Sequence, residues 1–110
     1  MEIKRGFVYW TNLDPTRGAE VKKRRPCVVV GVDPINRVRR TVVVIPLSSA
    51  GKEHPPLAMG VQCMGKKAIA VVDQVRAVDK SRLMEKCDEI SQADMVSLES
   101  AMKLVLGLRG

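Results

Sequence analysis

Short β-branched apolar runs, each fenced by turn-forming residues, constrain this chain more than any other feature. Residues 27–32 (CVVVGV), 41–45 (TVVVI) and 68–72 (AIAVV) are nearly all apolar and only five or six residues long. Side chains branched at Cβ are stiff and pack well on a pleated surface, and runs this short favour strands over helices. They are expected as strands buried on both faces. Residues 6–13 (GFVYWTNL) read as a first strand that stops at the turn cluster Asp14-Pro15-Thr16-Arg17-Gly18. Asp33-Pro34-Ile35-Asn36 is expected to join the runs 27–32 and 41–45, and Pro46 to end the second. Residues 57–63 are a weaker strand candidate, and 79–83 read as a helical turn. Residues 14–25 and 48–56 read as polar loops, the parts of a small barrel where function collects.

The clearest helix comes last. Ser91 with Asp94 three residues later is a capping start, and Met95, Leu98, Ala101, Met102 and Val105 then recur on one face until Gly107. That stripe reads as core packing. Several short strands plus one C-terminal helix make a mostly-β fold, a small barrel with a helix packed on it.

At 110 residues the chain fits one domain spanning 1–110. Its apolar stretches are far too short to span a membrane, and Met1-Glu2-Ile3-Lys4-Arg5 lacks the apolar segment of a secretory signal. The cytoplasm is the expected compartment, with no membrane partner. Cys27, Cys63 and Cys87 are odd in number and far apart, with no Cys-x-x-Cys or Cys/His ligand spacing. No metal site, disulfide framework or other cofactor is therefore expected, and Cys27 reads as core.

Charge narrows the function. Between Arg17 and Arg40 eight basic residues (Arg17, Lys22, Lys23, Arg24, Arg25, Arg37, Arg39, Arg40) face only Glu20 and Asp33, a net +6 out of the chain's +7. Charge this concentrated forms a patch for nucleic acid or an acidic protein if its segments meet in space.

Five segments stand in order along the chain: residues 14–20 (DPTRGAE), Arg25-Pro26, residues 45–49 (IPLSS), Asp73-Gln74-Val75-Arg76 with Asp79, and Leu106-Gly107-Leu108. This ordered set closely resembles the MazF/PemK/Kid toxins of bacterial toxin–antitoxin pairs over nearly the whole chain. The resemblance implies an SH3-like, CcdB/PemK-type small β-barrel and a symmetric homodimer. It implies a metal-independent, sequence-specific endoribonuclease that cleaves single-stranded mRNA, and neutralisation by an acidic, partly disordered antitoxin of the MazE/PemI kind. In such cleavage the substrate's own 2′-hydroxyl attacks the phosphorus, leaving a 2′,3′-cyclic phosphate and a 5′-hydroxyl end.

The family's catalytic positions map onto Glu20 as proton acceptor, Arg25 as a phosphate clamp and Ser48, where many relatives carry Thr. RNA contacts are expected from Arg17, Lys22, Lys23, Arg24, Ser49, Asp73, Gln74 and Arg76, with Asp73 the other candidate acceptor. Taken singly, Glu20 is a loop carboxylate balancing lysines, Arg25 a loop-bonding arginine and Ser48 a turn cap. In family register they mark a site. Two departures stand out. Kid-type members carry Arg two residues before the Asp of the Asp-Gln pair, where this chain has Val71, so its arrangement is closer to MazF. The stretch Val21-Lys22-Lys23-Arg24 replaces the usual Gln and Gly and makes the loop more basic. His54, beside Pro55-Pro56, reads as exposed rather than catalytic, and Trp10 as core or dimer surface. Phe7, Tyr9 and Trp10 are too few and too local for a base-stacking platform. Two rival functions are a CcdB-like inhibitor of gyrase and a non-catalytic RNA-binding barrel. The chain's end, lacking the Trp-Gly-Ile of CcdB-like toxins, counts against the first.

Overall fold

Strands β1 (Phe7–Asn12), β2 (Arg24–Val29) and β3 (Thr41–Ser48) form the middle of a curled antiparallel sheet. The computed structural model describes residues 2–13, 18 and 24–109. Outward from β3 the sheet continues through β5 (Lys66–Val71) to β4 (Ala58–Cys63), and outward from β1 it ends at β7 (Leu83–Glu89). A short β6 (Arg76–Asp79) pairs with the first half of β3. The result is a half-barrel of seven strands with α2 (Gln92–Leu106) packed against it.

The period-2 alternation of strands explains why the central runs are apolar throughout. Val8, Val28, Ile45 and Leu47 point into a larger core that α2 closes with Met95, Leu98 and Ala101. Their alternates, Tyr9, Cys27, Val29, Val42 and Val44, point into a second core with Ile3, Val78 and Leu83. β2 therefore has apolar residues on both sides, as its continuous run predicts. Thr11 is among the buried polar residues, and its hydroxyl donates to the Tyr9 carbonyl at 3.0 Å.

α2 begins and ends where the capping residues say. Ser91 Oγ accepts from the Asp94 N–H at 3.1 Å, and Gly107 takes a left-handed φ of 68° while donating to the carbonyls of the last turn. Met102 and Val105 complete the stripe at its margin.

Three elements differ from the sequence expectation. β3 runs straight through Pro46 to Ser48, because one of its edges changes partner there, from β6 to β5. Asp33-Pro34-Ile35-Asn36 opens a helix, α1 (Asp33–Val38), with Pro34 in the first turn, where a missing N–H costs nothing. β6 and β7 occupy a region read only as a motif and a helical turn; a 3-10 turn, Lys80–Arg82, does sit between them. Among the described residues no helix is long and apolar enough to cross a membrane.

Candidate nucleic-acid interface and active site

The register of the central strands sorts the expected site residues by face. Arg25 pairs with Thr11 in the β1–β2 ladder. The β2–β3 ladder reaches Cys27↔Pro46, and two more steps on that register set Arg25 opposite Ser48. Arg76 pairs with Val44. Alternate residues share a face, so Arg25, Ser48 and Arg76 belong to the side of the sheet that carries Cys27 and Val44. Burial pushes the Cys27 thiol up to about 12, while a hydrogen bond with Thr11 and the positive charge of Arg76 pull the other way. The charge of Arg76 is thus felt at Cys27, two residues along β2 from Arg25.

Arg25 is half-buried at the start of β2, and its Nε is buried with no hydrogen-bond partner among the described residues. A buried donor left unmade is costly, about 1–3 kcal/mol, so this one calls for a reason. Ser48, the last residue of β3, donates its hydroxyl to the Ala50 carbonyl at 3.0 Å and accepts from the Ala50 N–H at 3.1 Å. The hydroxyl therefore closes a turn in this state, and a phosphoryl oxygen would have to take over its proton.

Arg25, Ser48 and Ser49 also line one cleft of about 320 Å³. Leu47, Cys63 and Ala68 give it apolar surface. Burial, then electrostatic repulsion of a Cys63 thiolate by the neighbouring Cys87 and Asp88, pushes the Cys63 thiol up to about 11, so it stays neutral there at physiological pH. The cations lining the cleft are Arg24, Arg25, Lys66 and Lys67, with no carboxylate among its described lining residues. Arg24 pairs with Glu85 at 2.7 Å, and its guanidinium lies 5.7 Å from the centroid of the Trp10 ring. Trp10 is half-buried in the cleft wall and not in the core. Lys66 and Lys67 were likewise missed. The available signal was a pair of adjacent cations directly after the Met64-Gly65 turn.

The remaining expected residues lie elsewhere. Asp73 is exposed and Gln74 half-buried in a 3-10 turn, Val72–Gln74, that leads into β6, and neither lines the cleft. Glu20, Arg17, Lys22 and Lys23 lie outside the described residues. His54 is exposed and bonded through its backbone to Ala58, and it does not line the cleft. Among the described residues no three His, Cys, Asp or Glu side chains are grouped so as to hold a metal ion.

Comparison with known proteins gives the family and the fold. Residues 4–106 match the model of the PemK-like, MazF-like toxins of type II toxin–antitoxin systems. The endoribonuclease MazF of Staphylococcus epidermidis is 31% identical over 96% of this chain and 92% of its own length. Among solved structures, MazF from Deinococcus radiodurans superposes with a TM-score of 0.87 at 24% identity, covering 98% of this chain and 99% of that one. A mycobacterial endoribonuclease in complex with its cognate antitoxin gives 0.82 at 21% identity, covering 98% of each chain. The sheet order and C-terminal helix are therefore those of the MazF fold, and the chain belongs to the PemK-like, MazF-like toxin family of type II toxin–antitoxin systems.

Proposed function

We propose that this toxin is a metal-independent endoribonuclease that cuts single-stranded mRNA in the cytoplasm with sequence preference, as a homodimer of one-domain chains. An acidic antitoxin of the MazE/PemI kind restrains it. The observation that carries the reading is Arg25, a buried donor with no partner among the described residues, on the same sheet face as Ser48 and Arg76 and beside a cleft lined by cations. The 31%-identical relative named as an endoribonuclease supports it, as does the fold shared with a toxin solved on its antitoxin.

The chemistry needs little from the protein beyond position and charge. The 2′-oxygen bonds to the adjacent phosphorus while its proton passes to Glu20, with Asp73 as second choice. The P–O5′ bond breaks, and O5′ leaves as a hydroxyl by taking a proton from water; the hydroxide formed takes back the proton held by the acceptor carboxyl, which returns to carboxylate. Negative charge gathers on the phosphoryl oxygens at the moment of transfer, and the planar fork of Arg25 and the Ser48 hydroxyl hydrogen-bond those oxygens. Arg76 adds a fixed positive field, and Arg17, Lys22, Lys23, Arg24, Ser49 and Gln74 hold the strand to either side.

The test is incubation of folded protein with a long single-stranded RNA in excess EDTA, with end mapping. Discrete cuts leaving 5′-hydroxyl ends are expected. RNA that stays whole would transfer the protein to the class of binding barrels.

A further inference from the structure

The cleft holds more chemistry than the cut itself requires. It has an apolar lining (Leu47, Ala68), an aromatic wall (Trp10) with a planar guanidinium over its ring (Arg24), and two cations at the start of β5 (Lys66, Lys67). We infer that this cleft is the subsite for a nucleotide flanking the scissile phosphate, with Trp10 as the stacking surface for its base and Lys66 and Lys67 as the contacts for its phosphate. The inference rests on the nuclease reading above and adds the residues that grip the substrate beside the cut.

Four observations carry it. Strand alternation sends Trp10 and Arg25 to opposite faces, because Trp10 pairs with Pro26 and Arg25 with Thr11. The end of β2 is therefore a lip with the phosphate clamp on one side and the indole on the other, within one cleft. Second, unpaired bases stack on aromatic rings and on guanidinium planes, and Trp10 and Arg24 offer one of each. Arg24 is oriented by its ion pair with Glu85 at 2.7 Å. Third, the cleft volume of about 320 Å³ lies at the small end of ligand sites, suited to a single nucleotide and not to a duplex. Fourth, the lining charges among the described residues are all positive, complementary to a phosphodiester chain.

Trp10 is the only tryptophan of the chain, so its emission reports on the cleft directly. The probe is a single-stranded RNA oligonucleotide carrying 2′-O-methyl groups throughout, which binds without being cut. Titration into the wild-type protein is expected to quench the emission saturably, and one abasic position in the oligonucleotide is expected to remove the quench at equal charge. In steady-state cleavage, Trp10→Leu is expected to raise KM roughly tenfold with kcat little changed, while Trp10→Phe recovers most of the loss. Lys66→Gln and Lys67→Gln are each expected to lower the slope of log affinity against log salt by about one phosphate contact. Wild-type protein that cuts RNA while its emission ignores saturating oligonucleotide, with the Trp10→Leu KM unchanged, overturns the subsite and leaves the nuclease reading standing. Saturable, base-dependent quenching by a protein that never cuts does the reverse.

Discussion

The Asp88 carboxylate accepts a hydrogen bond from the backbone N–H of Met64 at 2.5 Å, across the gap between the two outermost strands of the sheet. β4 and β7 share no backbone ladder, so side chains do the joining. Asp94, in the first turn of α2, accepts in the same way from the Gln62 N–H at 2.9 Å. Met64 and Gly65 form the two-residue turn between β4 and β5, and that turn leads into the cleft wall bearing Lys66 and Lys67. Asp88 therefore pins the tip of a hairpin that the substrate is expected to touch.

From this follows a pH dependence. Hydrogen bonds from the Met64 and Glu89 N–H groups hold the Asp88 carboxyl below its ordinary range. The native state binds this proton less readily than the unfolded chain, whose Asp titrates near ~3.9. The stabilisation is thus complete above that value and is lost as pH falls through the lowered native one. Asp88→Ala is expected to lower Tm by a few degrees at pH 7, and the two melting curves should converge as the solution is acidified below about pH 4. Curves that stay parallel across that range would show that the bond contributes nothing.

Met64 itself sits in a strained backbone conformation, with φ of 53°, and Gly65 follows at 76°. Two successive positive φ values fit the type I′ hairpin turn, which favours Asn-Gly. A side chain other than Asn, Asp or Gly in that region costs about 1 kcal/mol. Met64 is 44% exposed, so replacing it gives up little packing. Met64→Asn is expected to raise Tm by a few degrees. Thermal melts of the two proteins would decide it, and a lower Tm would mean that the Met64 side chain is packed more usefully than its exposure indicates.

What was legible in the sequence depended on how regularly burial repeats. The middles of β2 and β3 lie between two cores, so Cys27–Val29 and Val42–Leu47 are apolar at successive positions and the runs are plain to see. α2 repeats on one face with its caps in place. β7 hides because its pairing with β1 slips twice: Val8 meets Asp88 but Tyr9 meets Lys86, and Thr11 then meets Leu83. Each slip adds a residue to β7 and breaks the period-2 pattern that marks a strand. The sequence Leu-Met-Glu-Lys-Cys-Asp-Glu therefore looks like neither strand nor helix. The site divides in the same way. Arg25 and Ser48 could be named because they sit in an ordered motif, whereas Trp10, Lys66 and Lys67 become neighbours only when the sheet curls.

Glu53 sets the strength of the Lys67 contact. Its carboxylate accepts from the Gly60 N–H at 3.1 Å and pairs with Lys67 Nζ at 3.3 Å. Gly60 leaves room for this, since a Cβ there would meet Lys67 Cε at 2.8 Å as well as the Glu53 carboxylate. Both side chains of the pair are about half exposed, so the ion pair itself adds little stability. Glu53→Gln keeps an acceptor for Gly60 and removes the competing negative charge. Affinity for the uncleavable oligonucleotide is expected to rise a few-fold at low salt, with Tm within about a degree of wild type. Binding curves taken at two salt concentrations check this, and unchanged affinity at the lower one would remove Lys67 from the contact.

Arg25 separates catalysis from stability most sharply. If its role were structural, replacing it would unfold the protein; if it is a clamp waiting for phosphate, its buried Nε is a cost the native state carries. An unmade buried donor costs about 1–3 kcal/mol, and an unbranched apolar side chain of similar length removes that cost while leaving no large void. Arg25→Met is therefore expected to melt at or above the wild-type temperature while losing at least about a hundredfold in kcat. Arg25→Lys keeps a positive charge without the planar fork and should fall between the two in activity. His54→Ala belongs in the same series as a control, because His54 engages Ala58 only through backbone atoms in the bonds seen here. Melting curves and single-turnover cleavage on the four proteins give both axes at once. A large drop in Tm for Arg25→Met, with activity restored by no arginine-like substitute, would return Arg25 to a bracing role.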